Sequence, residues 1–264
     1  MLGAIIGDIA GSTYEHRNLK STECELFPEG ATFTDDSVLT IATADVLMNG
    51  GSYIDAYQHY GRRFPDAGYG MHFQTWIHSD NPEPYQSWGN GSAMRVSPIG
   101  LCLTTVDDVL AEAERSASVS HNHSEGIKGA QAVAAAVFLA RHGETKTFIR
   151  DYISRQFGYS LNRTLDEIRP NYRFEVSCQG SVPEAIIAFL ESNDFEDAIR
   201  KAISIGGDSD TIACMTGGIA HAFYKTLPRE HVSKARSILP PQLLAIVDEF
   251  RTRCPLGAAD PEFI

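Results

Sequence analysis

Apolar residues recur every three or four positions along most of the chain, which is the spacing of an amphipathic α-helix. No convincing series of alternating apolar and polar residues marks a set of strands. We therefore predict an all-α fold, with one domain over residues 1–264. The predicted helices cover residues 2–14, 34–48, 53–64, 106–119, 127–141, 145–157, 181–191, 194–204, 207–225 and 238–252.

The first predicted helix carries glycines at every fourth position, namely Gly3, Gly7 and Gly11. Such a stripe predicts that another helix packs closely against this face. Asp8 lies in the same apolar segment, and Glu15 follows two helical turns later, so both side chains can face one side. Residues 15–32 are polar and irregular, and residues 65–91 are rich in Gly and Pro, so we expect loops there. A long loop such as 15–32 is often a functional lid.

Two predicted helices begin with a pair of carboxylates and a hydroxyl. Thr34, Asp35 and Asp36 open the helix at 34–48, and residues 208–211 (Asp-Ser-Asp-Thr) open the helix at 207–225 after Gly206-Gly207. Asp and Thr are favoured N-caps, and negative charge suits the first turn of a helix, so either cluster taken alone indicates a cap. A cap needs one carboxylate, however, and each cluster has two.

If the two helix ends meet, they present four carboxylates to one point, and these cannot all stay ionised without a counter-charge. Hard divalent cations supply that charge, and oxygen ligands favour Mg²⁺, Mn²⁺ or Ca²⁺ over Zn²⁺. A metal site therefore stands beside capping as an interpretation of the pair.

The net charge of the chain limits which classes of molecule it is expected to bind. Asp and Glu number 34 against 22 Lys and Arg, a net charge of −12, and we expect no nucleic-acid partner because such binding needs a basic surface.

The five cysteines are scattered and form no CxxC pair, which favours reduced thiols over zinc or a disulfide framework. We expect no signal peptide and no membrane span, and hence a soluble cytoplasmic protein, most simply a monomer.

Two further stretches carry polar residues in loops. An Asn between glycines at residues 89–91 indicates either a turn or a cradle of backbone N–H groups for an anion. His121 and His123 are two residues apart, which is not the spacing of a helix-face metal site, so loop residues or ligand contacts are the favoured interpretation.

Taken in order, five of these motifs resemble the ADP-ribosylglycohydrolase family over nearly the whole chain. They are residues 7–15, 33–37, 89–95, 120–126 and 206–211. The resemblance implies an all-α orthogonal bundle with a two-metal cleft that holds Mg²⁺ or Mn²⁺. It implies hydrolysis of the N- or O-glycosidic bond between ADP-ribose and an acceptor, which is a modified protein or a small molecule. The metal ligands implied are Thr34, Asp35, Asp36, Asp208, Asp210 and Thr211.

The same resemblance implies which residues act on the substrate. Glu15 matches the catalytic Glu of the serine-type members, and Asp36 is the second catalytic candidate. The substrate-binding residues implied are Gly89, Asn90, Gly91, Ser92, His121, Ser124, Glu125, Gly126, Ile127, Gly180 and Ser181.

The chain departs from the family pattern at a few positions. Ser87-Trp88 stand where arginine-type bacterial members carry a catalytic Asp, which favours an O-linked bond such as serine over arginine. Ile127 stands where some members place an aromatic residue.

Two other functions remain open: hydrolysis of free ADP-ribose esters or related nucleotides, and a non-catalytic ADP-ribose-binding or structural role.

Overall fold

The computed structural model describes residues 1–256, which form fourteen α-helices and no β-strand. An isolated antiparallel bridge joins Gly89 to Ser177. The all-α prediction is therefore confirmed for these residues. The predicted domain of 1–264 also includes residues 257–264, which lie outside the described residues.

The helices follow the predicted order with shifted ends. Their bounds are α1 Leu2–Gly11, α2 Asp35–Asn49, α3 Tyr53–Arg63, α4 Met71–Ile77, α5 Ser97–Cys102, α6 Val106–Ser118, α7 Ser124–Arg141, α8 Lys146–Phe157, α9 Leu165–Ile168, α10 Cys178–Glu191, α11 Phe195–Ile203, α12 Ser209–Tyr224, α13 Arg229–Ile238 and α14 Pro241–Arg253. A short 3₁₀ turn covers Asn90–Ser92.

The glycine stripe of α1 packs directly on α12. A Cβ atom added to Gly7 would lie 2.0 Å from the carbonyl oxygen of Ala213, and one added to Gly11 would lie 2.5 Å from the Cα of Asp210. No larger side chain fits either position, because both distances are well inside van der Waals contact. The close helix contact predicted from the stripe is confirmed, and it places Asp8 beside the start of α12.

Central and outer helices differ in their apolar pattern. Residues 132–140 of α7 are all buried, so this helix is apolar on every side and lies in the core. By contrast, α11 buries Phe195, Ala198, Ile199, Ala202 and Ile203, a single stripe at helical spacing. Such a helix covers the core with one face and meets water with the other.

Some elements differ from the prediction. The predicted loop 65–91 contains α4, and α9 and α13 were not predicted. α4 has only seven residues and buries Phe73, Trp76 and Ile77, so tertiary packing stabilises it more than its own sequence does. α10 begins at Cys178 rather than 181, so Pro183 lies inside the helix and removes one hydrogen-bond donor there.

The cysteines also differ from the prediction of reduced thiols. The structure joins Cys102, at the end of α5, to Cys254, which follows α14, in a disulfide. Cys24, Cys178 and Cys214 are free. None of the helices within residues 1–256 combines the length and the apolar content needed to cross a bilayer.

Candidate active site

The amino ends of α2 and α12 meet at the floor of one cleft of about 540 Å³. Thr34 caps α2 through its side chain, and Asp208 occupies the N-cap position of α12, although the two residues are far apart in the sequence. The Thr211 hydroxyl donates a hydrogen bond of 3.1 Å to Oδ2 of Asp36, which links the two helix ends directly. All six residues predicted as metal ligands line this cleft: Thr34, Asp35, Asp36, Asp208, Asp210 and Thr211.

A further carboxylate, that of Asp8, lies under the amino end of α2. It is fully buried, and it accepts hydrogen bonds from the Thr34 hydroxyl (2.6 Å), the Thr34 backbone N–H (3.0 Å) and both the backbone N–H and the hydroxyl of Ser37. Asp8 therefore fixes the first turn of α2. The position of Asp8 on an otherwise apolar helix is the only signal of this role in the sequence.

The cluster is costly to ionise in the absence of cations. Burial raises the pKa of Asp8 to about 6, and burial together with the charges of Asp8 and Asp208 raises the pKa of Asp35 to about 8. Burial and the neighbouring carboxylates also raise the pKa values of Asp36 and Asp210 well above the usual range. Such shifts are typical of carboxylates grouped without a counter-charge.

The donor atoms fit hard divalent cations. One carboxylate oxygen from each of Asp8, Asp36 and Asp210 lies within 4.8 Å of the others, and the same is true of Glu15, Asp208 and Asp210. Oδ1 of Asp36 is buried and has no hydrogen-bond partner among the described residues. Buried polar atoms without partners are rare, so this atom calls for a ligand. Carboxylate and hydroxyl oxygens are what Mg²⁺ and Mn²⁺ prefer.

Glu15 stands at the edge of this cluster and faces the cleft. Its side chain is 31% exposed, and its Oε2 lies 3.8 Å from Nε2 of His16. Partial burial raises the pKa of the Glu15 carboxyl, the nearby His16 lowers it, and the charge of Asp208 raises it. A carboxyl with a raised pKa beside a cluster of ligands is suited to proton transfer.

The turn at residues 89–92 connects the cleft wall to the acidic floor. Nδ2 of Asn90 donates to Oδ2 of Asp208 (2.6 Å) and to Oγ of Ser181 (3.1 Å), so Asn90 orients one of the carboxylates. The backbone N–H of Gly89 is 3.2 Å from Oγ of Ser87, and that of Asn90 is 2.8 Å from the carbonyl of Val176. These two N–H groups are therefore already used, and they are not part of an anion cradle.

The predicted substrate residues divide into two groups. Gly89, Asn90, Gly91 and His121 line the cleft. The others lie behind its wall or away from it: Ser92 and Ser181 are fully buried, Ser124 is exposed, and Glu125, Gly126, Ile127 and Gly180 are not among the residues that line the cleft.

Several exposed apolar side chains surround the mouth of the cleft. Met71, Phe174 and Val176 line it, and Trp88 precedes Gly89 with its ring edge-to-face with His123. Their exposed fractions are 50–78%. Grouped apolar residues on a surface mark a binding site more often than scattered ones do. The acidic residues that line the cleft are Glu15 and the four aspartates of the floor, Asp35, Asp36, Asp208 and Asp210.

Comparison with known proteins identifies relatives of this chain. A family model described as ADP-ribosylglycohydrolase matches residues 1–258. The human ADP-ribosylhydrolase ARH3 is 29% identical over 304 residues, which cover 85% of this chain and 84% of the relative. The ADP-ribosylarginine hydrolase Tri1 of Pseudomonas putida is 25% identical over 269 residues, which cover 89% of this chain and 72% of the relative.

A solved structure described as an ADP-ribosylglycohydrolase-related protein complex superposes with a TM-score of 0.68 at 22% identity. The match covers 97% of this chain and 94% of that one, so the two share a fold.

Proposed function

The chain belongs to the ADP-ribosylglycohydrolase family, whose members hydrolyse ADP-ribosyl bonds, and we propose that it releases ADP-ribose from an acceptor with the help of two divalent cations, Mg²⁺ or Mn²⁺. The observation that carries this proposal is the meeting of the α2 and α12 amino ends on the floor of one cleft. Their oxygen ligands lie close enough to share cations.

The proposed ligands of the cations are Thr34, Asp35, Asp36, Asp208, Asp210 and Thr211. When bound, the cations would neutralise these carboxylates, orient ribose hydroxyls and make a bound water more acidic. Asp8 supports the set from below by holding Thr34, and Asn90 supports it from the side by holding Asp208. Such supporting hydrogen bonds fix the direction of the ligand atoms.

Glu15 is the proposed catalytic acid or base. Cleavage of a glycosidic bond passes through a state with oxocarbenium character, and it requires a proton for the leaving oxygen and removal of one from the attacking water. Glu15 borders Asp208 and Asp210 and remains open to the cleft, so it can exchange a proton with the reacting atoms. Asp36, a carboxylate of the same cleft floor, is the other catalytic candidate.

The cleft is large enough for a nucleotide. Its volume of about 540 Å³ falls in the range of small-molecule sites. Gly89, Gly91 and His121 line the cleft next to Asn90, which contacts Asp208, and we place the ribose and phosphates of ADP-ribose along them. Bound cations would also remove the repulsion between the carboxylates and an anionic ligand.

We propose an O-linked acceptor, such as serine, rather than arginine. A guanidinium acceptor carries a charge that needs its own carboxylate partner. Ser87 in the cleft wall and the adjacent Trp88 stand where the family resemblance places such a partner, and the rim is apolar at Met71, Phe174 and Val176. An uncharged acceptor suits these surroundings better.

The test presents serine-linked, arginine-linked and ester-linked ADP-ribose substrates separately, with Mg²⁺ and with a chelator, and measures free ADP-ribose. Release from the serine-linked substrate only with Mg²⁺ supports the proposal. Release from the arginine-linked substrate alone overturns the acceptor assignment, and undiminished release with the chelator overturns the role of the cations. A protein that releases ADP-ribose from none, yet melts higher with Mg²⁺ and ADP-ribose, is a binding protein.

A further inference from the structure

Arg95 is a buried cation in the wall of the cleft, and nothing above accounts for it. Its side chain is fully buried, and it forms no ion pair with any carboxylate of the described residues. Its guanidinium lies over the rings of Tyr57 (4.3 Å) and Phe73 (5.7 Å). Burying an arginine without a carboxylate costs free energy, so the position needs a reason.

Arg95 donates through a single nitrogen. Nη2 donates to the carbonyl of Ser116 (2.8 Å) and to the hydroxyl oxygen of Ser120 (3.2 Å), whereas Nε and Nη1 have no partners among the described residues. The Ser116 carbonyl lies in the last turn of α6, where a positive charge is favourable. The second partner of Nη2, Ser120, lies between Arg95 and His121, which lines the cleft.

The directions of these hydrogen bonds follow from the chemistry of the groups. Arginine has no acceptor, so the Ser120 oxygen must accept from Arg95. The hydroxyl hydrogen of Ser120 is then free to donate, and Nδ1 of His121 lies 2.8 Å from the same oxygen. If Nδ1 carried the hydrogen instead, the hydroxyl hydrogen of Ser120, which is fully buried, would have no acceptor in this network.

The other ring nitrogen of His121 faces the cleft. Nε2 makes no hydrogen bond to the described residues, and it lies beside two glycines of the cleft wall. A Cβ atom added to Gly91 would lie 3.2 Å from Nε2, and one added to Gly89 would lie 3.5 Å away. The absence of side chains at these two positions therefore leaves Nε2 uncovered.

We infer that Arg95 and Ser120 are positioning residues that hold His121 as the neutral tautomer with its hydrogen on Nε2, so that His121 donates a hydrogen bond to an oxygen of the substrate. The inference rests on the proposed function for the identity of that substrate. Burial and the nearby Arg95 charge also hold the pKa of His121 well below its usual range, so the ring stays neutral. A neutral donor recognises a phosphate or hydroxyl oxygen without adding a charge to the site.

The first measurement reads the tautomer directly and does not depend on activity. Protein labelled with ¹⁵N at histidine is examined by long-range ¹H–¹⁵N correlation, and the His121 signals are assigned by their loss in His121→Gln. We expect the hydrogen on Nε2 in the wild type. Ser120→Ala removes the donor to Nδ1 and is expected to give a mixture of tautomers. A wild-type ring with its hydrogen on Nδ1 would overturn the inference, whatever the enzyme hydrolyses.

The second measurement is calorimetric titration with ADP-ribose in the presence of Mg²⁺. Ser120→Ala is expected to raise the Kd about tenfold, because the His121 ring loses the hydrogen bond that orients it as well as its single tautomer. The matched control is Ser97→Ala, which removes another fully buried hydroxyl, one that has no hydrogen-bond partner among the described residues. We expect its Kd within twofold of the wild type. Equal Kd values for Ser120→Ala and Ser97→Ala would overturn the positioning role.

A third variant changes the cleft wall beside Nε2 of His121. Gly91→Ala adds a methyl group whose close neighbours are atoms of the His121 ring, so the fold is expected to survive. The methyl group partly covers Nε2, and we expect the Kd to rise about tenfold while the tautomer stays unchanged. If the tautomer is as inferred but ADP-ribose does not bind the wild type, the proposed function fails and the assignment of the His121 hydrogen stands.

Discussion

At the scale of single residues, Glu15 gives the sharpest test of the chemistry. Glu15→Gln keeps the size and polarity of the side chain but cannot exchange a proton. We expect kcat to fall by about 10²–10⁴-fold, the usual contribution of general acid–base catalysis, with the affinities for Mg²⁺ and ADP-ribose changed only slightly. Steady-state kinetics and calorimetric binding check the two halves of this prediction.

The matched control is His16→Gln, next to Glu15 and largely exposed. Removing that imidazole perturbs the surroundings of Glu15 but leaves its carboxyl, so we expect a small effect on kcat. Hydrolysis by Glu15→Gln at the wild-type rate would show that proton transfer depends on another group, with Asp36 the next candidate.

Asn90 allows a test of the metal site that leaves every proposed ligand in place. Its amide holds Asp208 at 2.6 Å, so Asn90→Ala releases that carboxylate without removing it. Loss of such a supporting hydrogen bond typically weakens metal binding by about 10–100-fold. We expect this loss in a titration with Mn²⁺ followed by electron paramagnetic resonance.

Asn122→Ala serves as the control for Asn90→Ala. Asn122 also hydrogen-bonds within a loop, but to the backbone N–H of Gln86, and it is not among the residues that line the cleft. We expect its Mn²⁺ affinity to match the wild type. An unchanged affinity in Asn90→Ala would mean that Asp208 is held by other contacts or is not a ligand.

At the scale of the elements, the contact between α1 and α12 determines whether the acidic groups meet. A methyl group at Gly7 would lie 2.0 Å from a backbone oxygen of α12, which cannot move aside as a flexible side chain would. Overpacking of this kind costs about 1–3 kcal/mol, and a backbone clash belongs at the upper end. We therefore expect Gly7→Ala to lower the Tm by about 6–12 °C.

The control for Gly7→Ala is Gly70→Ala. Gly70 has a φ of −58°, which any residue adopts, and an added Cβ meets no atom within 4 Å. Thermal unfolding is expected to show a small change for this variant. A Gly7→Ala protein that melts like the wild type would mean that α1 can shift on α12 at little cost, and that the stripe does not fix their spacing.

The elements also show how far the sequence could predict the structure. Helical periodicity and the glycine stripe are local signals, so α1, α2 and α12 were predictable, and so were the acidic amino ends of α2 and α12. α4 was missed because seven residues with three buried ones carry too short a pattern, and its stability comes from packing. Pro183 falls in the first turn of the predicted helix 181–191 but lies inside α10, because the pattern does not show that the helix begins at Cys178.

Contacts between distant residues were the part that the sequence could not supply. Asn90 meets Asp208 across 118 positions, and the disulfide joins cysteines 152 positions apart. Asp8 caps α2 from another helix, and periodicity alone marks it only as a polar residue on an apolar face. These contacts depend on how the helices pack, which a single sequence does not encode in its local pattern.

At the scale of the whole molecule, charge is distributed unfavourably for an anionic substrate. The chain carries a net charge of −12, and five of its carboxylates converge in the cleft with Arg95 in the wall. Folding without cations therefore brings like charges together and removes them from water. Folding, metal binding and proton binding must then be linked.

The direction of that linkage follows from the pKa shifts. The pKa of Asp35 rises from 3.8 to about 8 in the folded chain, mainly through burial and then through the charges of Asp8 and Asp208. Between these values the folded chain holds more protons than the unfolded chain, so the free energy of unfolding falls as the pH rises. The raised pKa values of Asp36 and Asp210 act in the same direction.

Bases whose pKa falls on folding define where this effect can be measured. Burial lowers the pKa of His121, which opposes the trend below about pH 6.5, and it lowers the pKa of Lys146 to about 8, which opposes the trend above pH 8. Thermal unfolding should therefore be compared between pH 6.5 and pH 8.

With a chelator present, we expect the Tm to fall on the order of 5 °C from pH 6.5 to pH 8, since each carboxyl that stays protonated in the folded chain but is ionised in the unfolded chain costs about 2 kcal/mol over this range. With excess Mg²⁺, bound cations stabilise the ionised carboxylates, so the fall should disappear and the rise in Tm caused by Mg²⁺ should be larger at pH 8. Asp36→Asn removes one carboxylate and should flatten the slope measured with the chelator. A Tm that depends on pH in the same way with and without Mg²⁺ would mean that these carboxylates do not share a cation.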